Sequence, residues 1–250
     1  PVRRENMNLQ LTLIRCSCLI AIGLAIVAFH SSVTGMAQDR ATTIAPAGIN
    51  DKFKDPELNV DEWLERFEVE SREVYAARKE VLAACEISPG DCIADVGAGT
   101  GFYSQLFAKR TGLDGWVYAV DIAPNFLQHI ADRATADGIA NLTPVLGTDV
   151  SVRLPVESVD LVFICDVYHH FETPSASLAS IYRALKPGGR LVLIDFERIP
   201  GESREFILGH VRAGKEVFRS EIEKAGLEFV DEVDVTTFEE NYLLRFRKPQ

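Results

Sequence analysis

A doubly wound α/β sheet is the fold this sequence predicts, and three observations predict it. Short apolar runs alternate with stretches of helical spacing between residues 92 and 196, which is the pattern of parallel strands joined by crossover helices. The first run, Ile93-Ala-Asp-Val-Gly-Ala-Gly-Thr-Gly101, ends in an acid and three alternating glycines. Such a strand-to-helix turn lets the backbone approach a ligand with no Cβ in the way. What remains after an atypical N-terminal segment suits one domain with a substantial core.

In residues 1–37, Arg3, Arg4 and Arg15 precede an uncharged, apolar run from Leu19 to Phe29, and small and polar residues follow to Ala37. This layout predicts a cleaved signal peptide, because the run is too short for the ~20 residues of a membrane span. Met7 is a candidate initiator within it. A genuine signal means export to a periplasm or the medium, with no stable membrane insertion after cleavage; without one the location is cytoplasmic. Residues 38–60, with Pro46, Gly48 and Pro56, read as a flexible lead-in, and residues 61–250 as the domain.

Val60 to Ala84 has helical spacing that places Phe67, Val74, Ala77 and Val81 on one side. Ser88-Pro-Gly90 stops it. Expected next are strand 92–96, helix 101–111, strand 116–120, helix 124–137, strands 142–146 and 159–165, helix 174–186 and strand 190–196. The tail reads as helix 215–225 and two further runs, 227–235 and 241–248, with strand alternation in Tyr242, Leu244 and Phe246.

The formal charge is −11, and removal of residues 1–37 takes away three arginines and one glutamate, so the domain is more acidic still. No Lys/Arg cluster breaks that balance. Nucleic acid is therefore not an expected partner, since phosphate binding calls for a basic surface, and a small, neutral or weakly charged substrate is. Cys85, Cys92 and Cys165 form neither a disulfide framework nor a metal-ligand spacing. No metal is expected.

The glycine loop narrows the ligand. A dinucleotide turn has the form G-x-G-x-x-G, and continuing that register from Gly97 puts Phe102 where the third glycine belongs. Asp95, just before the loop, repels a pyrophosphate but suits an ammonium group. Both features favour S-adenosyl-L-methionine, which carries an ammonium and a sulfonium and no phosphate.

Asp95 to Gly101 matches, position for position, the acidic-x-G-x-G-x-G motif of the class I S-adenosylmethionine-dependent methyltransferases. Trp116–Asp121, Val145–Asp149, Val159–Phe171 and Leu185–Ile194 follow in that family's order. Over roughly residues 70 to 248 the chain resembles this family, and within it the small-molecule branch typified by the ubiquinone and menaquinone C-methyltransferases. The resemblance implies a Rossmann-like seven-stranded sheet, mostly parallel with an antiparallel C-terminal strand, and an S-adenosyl-L-methionine-dependent methyltransferase acting on a small-molecule methyl acceptor.

It also implies roles. Gly97, Ala98, Gly99 and Gly101 form the loop beneath ribose and methionine, and Asp95 orders the methionine end. Asp121 accepts the ribose hydroxyls, Ile122 packs on the adenine, and Asp149 with the Val150 N–H meets its edge. Tyr75 and Arg78, an i, i+3 pair on the preceding helix, are candidates to clamp the cofactor carboxylate. Asp166, His169 and His170 stand where the sulfonium methyl would lie, as acid–base or shaping groups. His210 and Arg212 fall in a segment where the family places substrate-facing insertions. Two other readings stay open: an exported domain that keeps the fold without turnover, and a dinucleotide-dependent oxidoreductase.

Overall fold

A computed structural model describes residues 45–250; the signal-peptide reading of residues 1–37 lies outside them. Seven strands form one sheet: β1 (Cys92–Val96), β2 (Trp116–Asp121), β3 (Leu142–Leu146), β4 (Val159–Cys165), β5 (Leu185–Phe196), β6 (Glu228–Val233) and β7 (Asn241–Arg247), in the order β3-β2-β1-β4-β5-β7-β6. Strands β1 to β5 pair in parallel, and β7 is antiparallel to both β5 and β6. The expected sheet is therefore the observed one.

Side-chain alternation explains why helices cover both faces. In β4, Val162 and Ile164 enter one core cluster while Leu161 and Phe163 enter the other; in β5, Leu191 and Leu193 part from Val192 and Ile194 in the same way. Period-two strands that are apolar at every position must be buried on both sides. On one face lie helices Pro174–Ala184 and Lys215–Lys224; on the other lie Arg78–Ala84, Phe102–Thr111 and Pro124–Ala136. From β1 the chain winds outward to β3, then crosses back to β4, so the order reverses between β1 and β4. Ligands of such sheets bind at the carboxyl ends of the strands at that reversal.

Two expectations need correction. The helix expected over 60–84 is broken into Val60–Phe67, Glu73–Ala76 and Arg78–Ala84. Its apolar residues have two targets: Phe67 packs against Trp63 and Phe126, with ring centroids 5.1 and 6.4 Å away, whereas Val74, Ala77 and Val81 enter the core on the sheet. One straight helix cannot serve both. Residues 45–60, expected as a flexible lead-in, hold helix Asp51–Lys54 and bury Ile49 and Asn50. Their apolar side chains, too sparse to show a period, complete the aromatic group of Phe53, Trp63, Phe67 and Phe126. Among the described residues no helix is long and apolar enough to cross a membrane.

Candidate functional site

The loop after β1 is folded onto β2 by two hydrogen bonds, from the Gly97 and Ala98 N–H groups to the Val120 carbonyl, at 2.8 and 3.1 Å. Gly97, Gly99 and Gly101 all have positive φ. At Gly97 the need is also steric, because a Cβ there would sit 2.4 Å from Val167 Cγ1. The Gly99 N–H donates to Asp121 Oδ2 at 2.8 Å, and the Ala123 N–H to Asp121 Oδ1 at 2.9 Å. Each carboxylate oxygen keeps lone-pair capacity for a hydroxyl donor. Below the loop, Ser104 Oγ donates to Asp95 Oδ2 at 2.5 Å. Burial, with the nearby charge of Asp121, pushes the Asp95 carboxyl up to about 7 despite the serine. Burial likewise raises Asp121.

Asp166, at the carboxyl end of β4, is a non-glycine residue at φ 53, a conformation that persists only where its surroundings enforce it. Arg72 Nη2 donates to its Oδ2 and Asn241 Nδ2 to its Oδ1, each at 2.7 Å. Burial raises this carboxyl and the Arg72 charge opposes that shift. With both oxygens engaged, Asp166 is a bracket for the loop that follows it rather than a free base.

That loop presents His169 and His170. The carboxylate of Asp195, fully buried on β5, takes the His169 Nδ1 at 2.7 Å and the His169 N–H at 3.1 Å. His170 Nδ1 lies 3.1 Å from Asn50 Oδ1, and its Nε2 lies 3.2 Å from Nε2 of His210. Desolvation lowers His170 to about 2 and His210 to about 4, so both rings are neutral at physiological pH.

A cavity of about 330 Å³ joins these groups, within the ~300–1,000 Å³ usual for small-molecule sites. Asp95, Gly97, Ala98, Gly99, Asp121, Ile122, Asp149 and Tyr75 line it, as do Asp166, His169, His170 and His210. Lys54 pairs with the lining residue Asp149 at 2.9 Å.

Four predicted residues stand outside that lining. Gly101 serves packing: a Cβ there would meet Ile130 Cγ1 at 2.6 Å. Val150 is 48% exposed and has its N–H 3.4 Å from Thr148 Oγ1. Arg78 is drawn away by Glu70 at 3.1 Å and by the Tyr75 carbonyl at 2.8 Å, and the arginines that line the cavity are Arg66 and Arg72. Arg212 is buried, paired with Glu221 at 2.9 and 2.6 Å and lying over the Phe218 ring. It braces the core beneath the site.

Sequence reasoning missed Asn50, Phe53, Trp63 and Phe67 as cavity residues, and Asp195 and Asn241 as supports. The signal for Asp195 was an acid inside the apolar run Leu191–Phe196, a place where a carboxylate must have a partner.

Residues 94–193 match the family model described as a methyltransferase domain. Over this stretch the chain is similar to a methyltransferase domain. Two similar curated proteins are ubiquinone/menaquinone biosynthesis C-methyltransferases UbiE. That of Hydrogenovibrio crunogenus is 31% identical over 123 residues, covering 49% of this chain and 48% of the relative; that of Methylococcus capsulatus is 33% identical over 117 residues, covering 46% and 47%. The chain thus spans about half the length of the curated relatives it matches. Among solved structures, a SAM-dependent methyltransferase from Aquifex aeolicus superposes with TM-score 0.67 at 21% identity, over 76% of this chain and 98% of that one. Phosphoethanolamine N-methyltransferase 2 of Haemonchus contortus gives 0.66 at 16%, over 82% and 61%. The cofactor that goes with the domain is S-adenosyl-L-methionine. The cavity fits it: two buried acids suit an ammonium and ribose hydroxyls, and Gly97, Ala98 and Gly99 bring the backbone of the loop to the cavity wall.

Proposed function

We propose that this protein transfers the methyl group of S-adenosyl-L-methionine to a small, largely apolar acceptor. One observation carries the reading: a single cavity runs from Asp121, held at its floor by the Gly99 N–H, to the wall of His169, His170 and His210. The bound cofactor supplies an electrophilic methyl on a sulfonium. Transfer would break the C–S bond as the bond to the acceptor formed, with S-adenosylhomocysteine as the leaving group and any proton on the acceptor going to a base or to water.

The residues supply position and exclusion of water, which is most of what an in-line displacement requires. Asp121 and Asp95 fix the donor, and Arg72 and Asn241 hold Asp166 and with it the loop that faces the methyl group. His169, its Nδ1 engaged by Asp195, has Nε2 as the nitrogen suited to receive a proton. The aromatic group of Phe53, Trp63, Phe67 and Phe126 covers the cavity from the N-terminal side. The names of the UbiE relatives favour carbon of an electron-rich ring as the acceptor atom.

Calorimetric titration with S-adenosylmethionine, S-adenosylhomocysteine and NADH tests this. Micromolar binding of both adenosyl ligands, lost in Asp121→Ala, is expected. A folded protein that binds neither would end the transferase reading.

A further inference from the structure

Three of the five histidines of the chain converge on one side of the cavity. One ring nitrogen from each of His169, His170 and His210 lies within 4.8 Å of the other two. We propose that these three residues form a binding site for a divalent transition metal of the zinc class, with its remaining coordination position open to the cavity where the methyl acceptor lies.

The hydrogen bonds around the rings assign their lone pairs. Asn50 Nδ2 donates to the His170 carbonyl at 3.0 Å and to Glu172 Oε1 at 2.9 Å, so the amide presents Oδ1 to the His170 ring. An acceptor 3.1 Å from Nδ1 places the proton of His170 on that nitrogen and leaves Nε2 bare. Asp195 does the same for His169, whose Nδ1 it engages. Two rings are thus held as the Nε2 lone-pair tautomer, each by an oxygen acceptor on its far nitrogen. This is the outer-shell arrangement that orients metal-ligating histidines.

Spacing agrees. Ligands ~2.0–2.1 Å from a tetrahedral zinc stand about 3.3 Å apart, and the Nε2 atoms of His170 and His210 are 3.2 Å apart. His169 is buried and His170 and His210 are half-buried, so closing the remaining distance falls to the latter two rings. Lys52, whose charge acts on His170 and His210, opposes a cation here; the buried Asp195 carboxylate, which acts on His210, favours one. Three imidazole ligands and an open position make a catalytic rather than a closed structural site, one suited to zinc and neighbouring divalent ions.

The consequence rests on the transferase reading. A hydroxyl oxygen of the acceptor would take the open position, where the metal favours its deprotonated form and the proton passes to water. The metal, rather than the His169 imidazole, then activates the acceptor. Metal binding itself does not depend on methyl transfer.

The test uses the full chain made without a histidine tag, stripped with chelator and titrated with Co²⁺ by visible absorption and with Zn²⁺ by calorimetry. One equivalent of either ion is expected, with a four-coordinate cobalt spectrum. Asp195→Asn, which spares all three ligands, should weaken the affinity about 10–100-fold. His210→Ala, on the surface helix Glu205–His210, should abolish stoichiometric binding, and His129→Gln, in a helix away from the cluster, should leave it intact. Circular dichroism establishes that each variant is folded. Absence of stoichiometric binding, or binding undiminished in His210→Ala, would overturn the site and leave the cluster as a hydrogen-bonded wall, with cofactor binding by the same protein unaffected.

Discussion

Arg72 and Asp166, ninety-four residues apart in the chain, meet at 2.7 Å with the Asp166 side chain 4% exposed. This contact ties the segment before β1 to the loop after β4, beside the hydrogen bonds that Asn50 makes to His170 and Glu172. Removing one member of a buried pair strands the other, at a cost of about 3–5 kcal/mol; the partial exposure of Arg72, 27%, moderates that. Arg72→Leu should therefore lower stability by about 2–3 kcal/mol and reduce turnover. The double variant Arg72→Leu/Asp166→Asn should recover stability but not turnover. Urea denaturation and initial rates check both.

Asp121 tests the cofactor end. Hydrogen bonds to a charged group contribute about 1.5–3 kcal/mol each, so Asp121→Asn should weaken S-adenosylmethionine binding roughly 10- to 100-fold. S-adenosylhomocysteine should be affected equally, since the ribose is common to both. Calorimetry of the two ligands would show a split if Asp121 instead faced the sulfonium.

Gly97 and Val167 form a steric pair. Gly97→Ala places a methyl 2.4 Å from Val167 Cγ1 at a residue with φ 76, and should destabilise by about 2–4 kcal/mol and abolish cofactor binding. Adding Val167→Ala should relieve the clash but not the backbone strain, so thermal unfolding should show partial recovery. Full recovery would mean that φ at Gly97 carries no strain.

The pH dependence of stability follows from Asp95. Its carboxyl is raised from 3.8 to about 7 by burial, so the unfolded chain releases its proton first as pH rises. Stability from this group is full below about pH 4 and declines until about pH 7, with a slope of at most about 1.4 kcal/mol for each pH unit crossed. Asp95→Asn should lack this decline and gain on the parent between pH 4 and 7 in denaturant titrations. Cofactor affinity should run the other way in the parent, rising through pH 7 as the carboxylate forms to meet the ammonium. A flat affinity profile would separate Asp95 from the methionine end.

Much of the sheet could be read before any coordinates, because apolar strands bounded by turn residues have a period of their own. β1, β3 and β4 occupy the expected spans. The start of β5 was harder to place: Leu185 pairs with Val159 and Arg190 with Leu161, so the Lys-Pro-Gly-Gly turn bulges opposite Asp160, held there by Lys186 at 2.8 Å. A charge contact across strands has no signature in a hydrophobic pattern.

The sheet, the glycine loop and the acids Asp95 and Asp121 were legible in the chain alone, since each depends on residues close together in sequence and on backbone rules. Which distant side chains share the cavity was settled by packing in three dimensions. His210 and Arg212 are two residues apart, yet one faces the cavity and the other is locked to Glu221 in the core. Asn50 reaches His170 across 120 residues. Such meetings are fixed by how elements pack once their apolar faces are satisfied, and polar side chains at a crossing leave no periodic trace in the chain that carries them.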